Sequence, residues 1–295
     1  MKKTFPASQL IINEDGSIFH LHIRPEHLAD KVILVGDQGR VNMVASFFDE
    51  GSIECDIQSR EFHTITGKYQ GKRISCISTG IGTDNCDIVL NELDALANID
   101  FATRTVKENF RRLTLVRLGT SGALQADIEV GEMVFARTSL GFDSLLGYYA
   151  DRDRVCNLAM EQDFVEKMQW GAKLPTPYFV DADKELFELF RDCTTEGITV
   201  AAPGFYAPQG RYVRLAPADP SLNEKMESWR YDGRRITNYE MEGSALAGLA
   251  AMMGHRAATI CTIIAQRVAL KAQPDYKPFV ERMIRTALDK LATLE

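Results

Sequence analysis

The sequence predicts an α/β fold with a mostly parallel central sheet, because short apolar strands alternate with amphipathic helices. Three apolar or β-branched runs, at residues 32–35, 73–79 and 113–118, are each followed directly by a glycine. Apolar residues at helical spacing follow the first two runs, at residues 41–48 and 87–99. This order is typical of a sheet that is covered by helices on both faces.

The rest of the chain continues the alternation. We expect strands at residues 132–138, 198–202, 236–239 and 257–265, and helices at residues 157–170, 184–191, 221–229, 241–253 and 276–293. Gly254 is well suited to end the helix at 241–253. The 295 residues contain no repeat, low-complexity tract or linker, so a single domain over residues 1–295 is expected.

The composition excludes several classes of partner. The net charge of -7 disfavours binding to a nucleic-acid backbone, so any phosphate site must be a local concentration of donors. No apolar run approaches membrane-spanning length, and we expect a cytoplasmic protein without a membrane partner. The cysteines and histidines show no metal-binding spacing, which predicts free thiols and no metal site.

Ligands of parallel sheets bind beyond the carboxyl ends of the strands, so the glycine-closed strand ends are the first candidates for a site. At Gly36 and Arg40, backbone N–H groups and a guanidinium could bind an anion, although ordinary turns share this pattern. Arg117 lies inside an apolar run and must be paired, because an isolated buried charge is very costly. It is either a structural ion-pair partner or an anion ligand, and the adjacent glycines and Thr120 favour the ligand.

Two further segments carry polar groups at strand ends. Glu240 and Glu242 follow a strand at a spacing that cannot share a helical face, so one is expected in the first helical turn. The other could accept hydrogen bonds from a sugar diol. In the loop 204–212, Gln209 and Arg211 could recognise a planar polar ring, although loop packing is the alternative for its aromatic residues.

Taken together, these motifs resemble the nucleoside phosphorylase-I family, and most closely its uridine phosphorylase branch. The matching segments, in the order of the family, are residues 36–40, 60–62, 78–82, 117–122, 205–211 and 238–242. The resemblance covers about residues 18 to 290, which leaves residues 1–17 as an N-terminal extension. It implies a single α/β domain with a mixed, partly barrel-like central sheet flanked by helices.

The resemblance also implies a role for each matching residue. Phosphate would be bound by Gly36, Arg40, Arg117 and Thr120, with Arg60 contributed by a neighbouring subunit. The ribose would contact His20 of a neighbouring subunit, Glu240, Met241 and Glu242. The base would contact Phe205, Gln209, Arg211 and Arg267, although a solvated strand end is the alternative for Arg267. The catalytic set would be Arg117, Gln209, Arg211 and Glu242.

The implied reaction is reversible phosphorolysis of a pyrimidine nucleoside, with inorganic phosphate as co-substrate and no cofactor. Purine-specific relatives usually carry an aspartate where this chain has Ala265-Gln266-Arg267, and this difference favours a pyrimidine. A purine nucleoside phosphorylase, a hydrolytic nucleosidase of the same fold and a non-catalytic nucleoside-binding protein remain alternatives. The resemblance further implies a homo-oligomer, either a dimer or a hexamer of dimers, with active sites shared between subunits.

Overall fold

The computed structural model describes residues 4–267, the backbone of residues 271–272, and residues 275–294. The strands are β1 Lys31–Val35, β2 Cys55–Ser59, β3 Phe62–Tyr69, β4 Lys72–Ser78, β5 Ile99–Asp100, β6 Thr105–Val106, β7 Thr114–Ala123, β8 Met133–Gly141, β9 Tyr178–Asp181, β10 Thr195–Ala201, β11 Arg230–Tyr231, β12 Arg234–Glu240, β13 Arg256–Gln266 and β14 Lys271–Ala272. The α-helices are α1 Gln38–Ala45, α2 Thr83–Asn98, α3 Leu158–Met168, α4 Lys184–Phe190, α5 Leu222–Ser228, α6 Gly243–Met253 and α7 Lys277–Ala292.

Part of the sheet closes on itself. The strands β12, β10, β8, β13 and β7 are neighbours in that order, and β12 pairs again with β7 to complete a five-stranded barrel. The open part of the sheet continues from β7 through β1, β4, β3 and β2. Parallel and antiparallel pairs both occur, for example β7 with β13 and β7 with β12. The expected mixed, partly barrel-like sheet between helices is therefore confirmed.

Burial explains why the central elements have such apolar sequences. All five residues of β1 are buried between β4 and β7, to which β1 is parallel on both sides. Helix α6 is buried over most of its length and packs against α2 and β13, which accounts for its run of alanine, leucine and glycine. It ends at Gly254, which adopts the left-handed conformation with φ of 86°.

The strand pattern differs from the sequence-based prediction in two respects. The antiparallel strands β2 and β3 and the edge strand β9 were not predicted, so the sheet is more mixed than the helix–strand alternation indicates. The strand around Arg117 was expected to end in a glycine turn, and this is wrong. Strand β7 continues through Gly119 and Gly122 to Ala123, and it pairs with β13 along this stretch.

The N-terminal segment lies against the body of the protein. Thr4 forms an isolated bridge with Thr105, the backbone N–H of Phe5 donates to the carbonyl of Arg104, and Leu10 is buried. Residues 1–3 of the expected extension lie outside the described residues. Within the described part of the chain, no helix combines the length and apolar character needed to cross a bilayer.

Candidate active site

A cavity of about 640 Å³ opens where β1, β7, β12 and β13 end. All predicted site residues line it except His20 and Arg60. The predicted residues on its wall are Gly36, Arg40, Arg117, Thr120, Phe205, Gln209, Arg211, Glu240, Met241, Glu242 and Arg267. The fold therefore brings together residues that lie more than two hundred positions apart in the sequence. We call the part of the wall near Arg40 the anion end, and the part near Gln209 the base end.

Arg117 occupies the centre of the wall and is only 4% exposed. Its Nη1 lies 3.2 Å from Oε2 of Glu240, and its Nη2 donates to Oε2 of Glu242. Burial lowers the pKa of Arg117, but the charges of Glu242 and Glu240 outweigh it and raise the pKa above its ordinary value. Arg117 is therefore a structural ion-pair partner that also faces the cavity, and its role as an anion ligand stays a prediction.

Gly119 leaves the space that the Arg117 guanidinium occupies. A Cβ atom built on Gly119 would lie 2.1 Å from Nη1 of Arg117 and 3.0 Å from Sγ of Cys261. Similarly, a Cβ on Gly122 would lie 3.0 Å from Nε of Arg267. The glycines of β7 are thus explained by the close approach of two arginine side chains to a strand, and a turn is not required.

The two carboxylates have different partners. The Glu240 carboxylate accepts hydrogen bonds from the backbone N–H groups of Glu242, at 2.9 Å, and Gly243, at 2.8 Å. Burial raises the pKa of Glu240, Arg117 lowers it, and the charge of Glu242 raises it again, so that the net shift is upward. Oε1 of Glu242 accepts from the backbone N–H of Gly82, at 2.7 Å.

Neither glutamate lies in the first turn of α6, which begins only at Gly243, and that expectation is wrong. Glu240 instead fixes the start of α6 through the backbone. Glu242 joins β7 to the turn before α2 while it faces the cavity.

The anion end combines Gly36, Asp37, Arg40 and Thr120. Nη1 of Arg40 donates to the carbonyl of Leu118 at 3.2 Å, and the Asp37 side chain caps α1 by accepting from the N–H of Gly39. Burial lowers the pKa of Arg40, and the positive charge of Arg117 lowers it further. No carboxylate among the described residues forms an ion pair with Arg40, so this end has a positive charge available for an anion.

The base end is organised around the side chain of Gln209, which is 3% exposed. Its Oε1 accepts from Nη1 of Arg211 at 2.6 Å and from Nη2 of Arg267 at 2.8 Å. The Arg211 guanidinium also lies over the Phe205 ring, 3.5 Å from its centroid. Burial, followed by the charge of Arg267, lowers the pKa of Arg211 to about 10. Two guanidinium groups therefore converge on one amide oxygen.

His20 and Arg60 lie outside this cavity and close to each other. The Arg60 guanidinium is 5.3 Å from the ring centroid of Phe19, and this ring contacts His20 edge-on at 4.7 Å. Nδ1 of His20 is 2.6 Å from Oε1 of Glu92. Their contribution to the site of a neighbouring subunit stays a prediction.

Four cavity residues were assigned no functional role from the sequence. Tyr239 and Ile264 belong to apolar strand runs, which predict burial in the core. Ile81 stands between two glycines, and only the glycines were considered as candidates for a site. Tyr276 begins the last helix, far from every motif. Their place in the wall depends on how β12, β13, α2 and α7 meet, which periodicity does not predict.

The chain is similar to known proteins over most of its length. The family described as the phosphorylase superfamily matches residues 30–294. The chain is 29% identical over 276 residues to a uridine phosphorylase of Thermococcus kodakarensis, covering 91% of this chain and 84% of the relative. It is 27% identical over 280 residues to a DeoD-type purine nucleoside phosphorylase of Geobacillus stearothermophilus, covering 91% of this chain and 98% of the relative.

Among solved structures, a Trypanosoma brucei nucleoside phosphorylase that shows uridine phosphorylase activity superimposes with a TM-score of 0.88. The two chains are 28% identical, and the match covers 97% of this chain and 100% of the other. The family match, the shared fold and the phosphorylase relatives lead to one conclusion: the chain belongs to the phosphorylase superfamily, as a pentosyltransferase of the nucleoside phosphorylase type.

Proposed function

We propose that this enzyme is a uridine phosphorylase, which converts uridine and phosphate reversibly into uracil and ribose 1-phosphate. The observation that carries the proposal is the convergence of Arg211 and Arg267 on Oε1 of Gln209 at the base end. This arrangement orients the amide, so that the side-chain nitrogen of Gln209 and the remaining guanidinium N–H groups are available as donors. Uracil presents two carbonyl acceptors, which suit a wall rich in donors.

The charge at the base end supports a pyrimidine leaving group. Uracil gains negative charge as the glycosidic bond breaks, and two guanidiniums that have no carboxylate partner in the described part of the chain would stabilise that charge. Strand β13 ends in Ala265 and Gln266, followed by Arg267, with no carboxylate that could protonate a purine. The similarity to uridine phosphorylases points the same way, although purine-specific relatives match nearly as well.

The anion end and the centre of the cavity would supply the rest of the reaction. Phosphate would be held against the anomeric carbon by Arg40, Thr120, the backbone near Gly36 and the inner face of Arg117. Met241 and Glu242 would position the ribose, which keeps the reacting atoms in line. The bond would loosen toward an oxocarbenium-like state. Inorganic phosphate would be the only co-substrate, and neither a metal nor a cofactor would take part.

The proposal includes an active site that is shared between subunits. His20 and Arg60 lie together on a surface outside their own cavity, and a second copy of the chain would bring them to the ribose and the phosphate. A monomer would then lack one cation at the anion end. We expect an obligate homo-oligomer, with a dimer as its smallest active form.

The test measures base release from uridine, inosine and thymidine, each with and without phosphate. Uracil release that depends on phosphate, together with little release from inosine, is the expected result. Uracil release that proceeds equally well without phosphate would contradict phosphorolysis and indicate hydrolysis. Release from inosine but not from uridine would contradict the pyrimidine assignment.

A further inference from the structure

Tyr276 lies in the cavity wall and has no role in the reaction described above. It is the residue that precedes α7, and its backbone carbonyl accepts from the N–H groups of Phe279, at 3.1 Å, and Val280, at 3.2 Å. Helix α7 buries its apolar face against β7 and β13. The backbone of Tyr276 is therefore held in place by the helix, and its side chain is partly buried.

The phenol of Tyr276 lies near the anion end of the cavity. Tyr276 and Arg40 line the same cavity, and their side chains are close enough to interact electrostatically. The phenol oxygen makes no hydrogen bond within the described part of the chain. In particular, it does not cap the N-terminus of α7. Tyr276 thus presents a hydrogen-bond donor that has no acceptor among the described residues.

We propose that Tyr276 donates a hydrogen bond to the phosphate that is held by Arg40, and so acts as a phosphate-binding residue; this rests on the proposed phosphorolysis. A neutral donor suits this position, because Arg40 has no carboxylate ion-pair partner among the described residues and Arg60 of a neighbouring subunit would add a second positive charge there. A further cation would add repulsion in the free enzyme, whereas a phenol adds a directed hydrogen bond without adding charge.

Tyr276→Phe is the sharpest test, because it removes one oxygen and keeps the ring that packs at the helix start. We expect the KM for phosphate to rise about tenfold, the loss typical of one hydrogen bond to a charged partner. The KM for uridine should change by less than about twofold, because uniform loss of phosphate binding leaves the nucleoside contacts in place. Tyr148→Phe is the matched control, since Tyr148 is 88% exposed and lies outside the cavity wall.

A binding measurement without catalysis separates this inference from the proposed function. Inorganic phosphate alone should raise the melting temperature of the wild-type enzyme, and Tyr276→Phe should need about ten times more phosphate for the same shift. An unchanged phosphate KM, or a rise in the uridine KM instead, would overturn the role of Tyr276 while phosphorolysis stands. Phosphate-independent uracil release by the wild-type enzyme would instead overturn the proposed function itself.

Discussion

The centre and the base end of the cavity both rely on arginines, but the protein treats the charges of those arginines in opposite ways. Arg117 is paired with Glu240 and Glu242, and these carboxylates raise its pKa. Arg211 and Arg267 share an amide oxygen, and burial lowers the pKa of both. The first charge is neutralised within the fold, whereas the other two have no carboxylate partner among the described residues.

This difference distinguishes an arginine that stabilises the fold from arginines that are available to bind a ligand. Arg117 joins β7 to the start of α6 through two buried carboxylates, so its removal leaves unpaired charges. Arg211 stands on an exposed loop over Phe205, which is itself 50% exposed, and little of the fold depends on it. Substitution of an arginine in a buried ion pair should therefore lower stability, whereas substitution of an uncompensated arginine in the cavity should lower activity.

Arg117→Met should have the largest effect and should damage both stability and activity. The loss of one partner from a buried pair costs about 3–5 kcal/mol, because the remaining carboxylates are left without compensation. The free energy of unfolding from urea titration measures this loss, and phosphorolysis of uridine measures activity. The double variant Arg117→Met/Glu240→Gln should regain part of the stability but none of the activity. An unchanged urea midpoint in the single variant would mean that Arg117 is not a structural partner.

Arg211→Ala should lower activity without lowering stability. Removal of one donor to a developing negative charge costs about 10²–10³ in kcat. The free energy of unfolding should fall by less than about 1 kcal/mol, which is the scale of an exposed cation–π contact. Arg191→Ala is the matched control, because Arg191 is an exposed arginine that pairs only with Glu188 at the surface. A large fall in melting temperature for Arg211→Ala would identify a structural residue and remove the contrast with Arg117.

The glycines of β7 extend the same comparison at a smaller scale. Gly119→Ala places a Cβ 2.1 Å from the locked Arg117 guanidinium, and overpacking of this kind costs about 1–3 kcal/mol. Gly122→Ala approaches Nε of Arg267 at 3.0 Å, so it should weaken uridine binding more than it weakens folding. Gly147→Ala is the control, since no atom lies within 4 Å of its Cβ position. Equal urea midpoints for the Gly119 and Gly147 variants would contradict the packing account.

Local patterns predicted the helices well and some of the strands. Each of α1 to α7 was expected near its observed position, because the buried face of a helix produces a periodic pattern of apolar residues within a few turns of sequence. The hairpin of β2 and β3 was missed, because the pairing of its strands depends on the rest of the sheet and not on the local sequence alone. The continuation of β7 was missed because Gly119 and Gly122 were read as turn residues, whereas they make room for side chains from the same strand and from the end of β13.

The sequence by itself determined the α/β class, the identity of most residues in the cavity wall and the type of chemistry they support. The α/β class follows from residue types and their spacing, which a linear chain displays directly, whereas the wall residues and their chemistry follow from the resemblance of the motifs to the family. Only the tertiary structure decided which arginine is neutralised and which is free, and that Tyr276 and Ile81 join the wall. A charge acquires its partners through strand register and helix packing, and these bring together residues from distant parts of the chain.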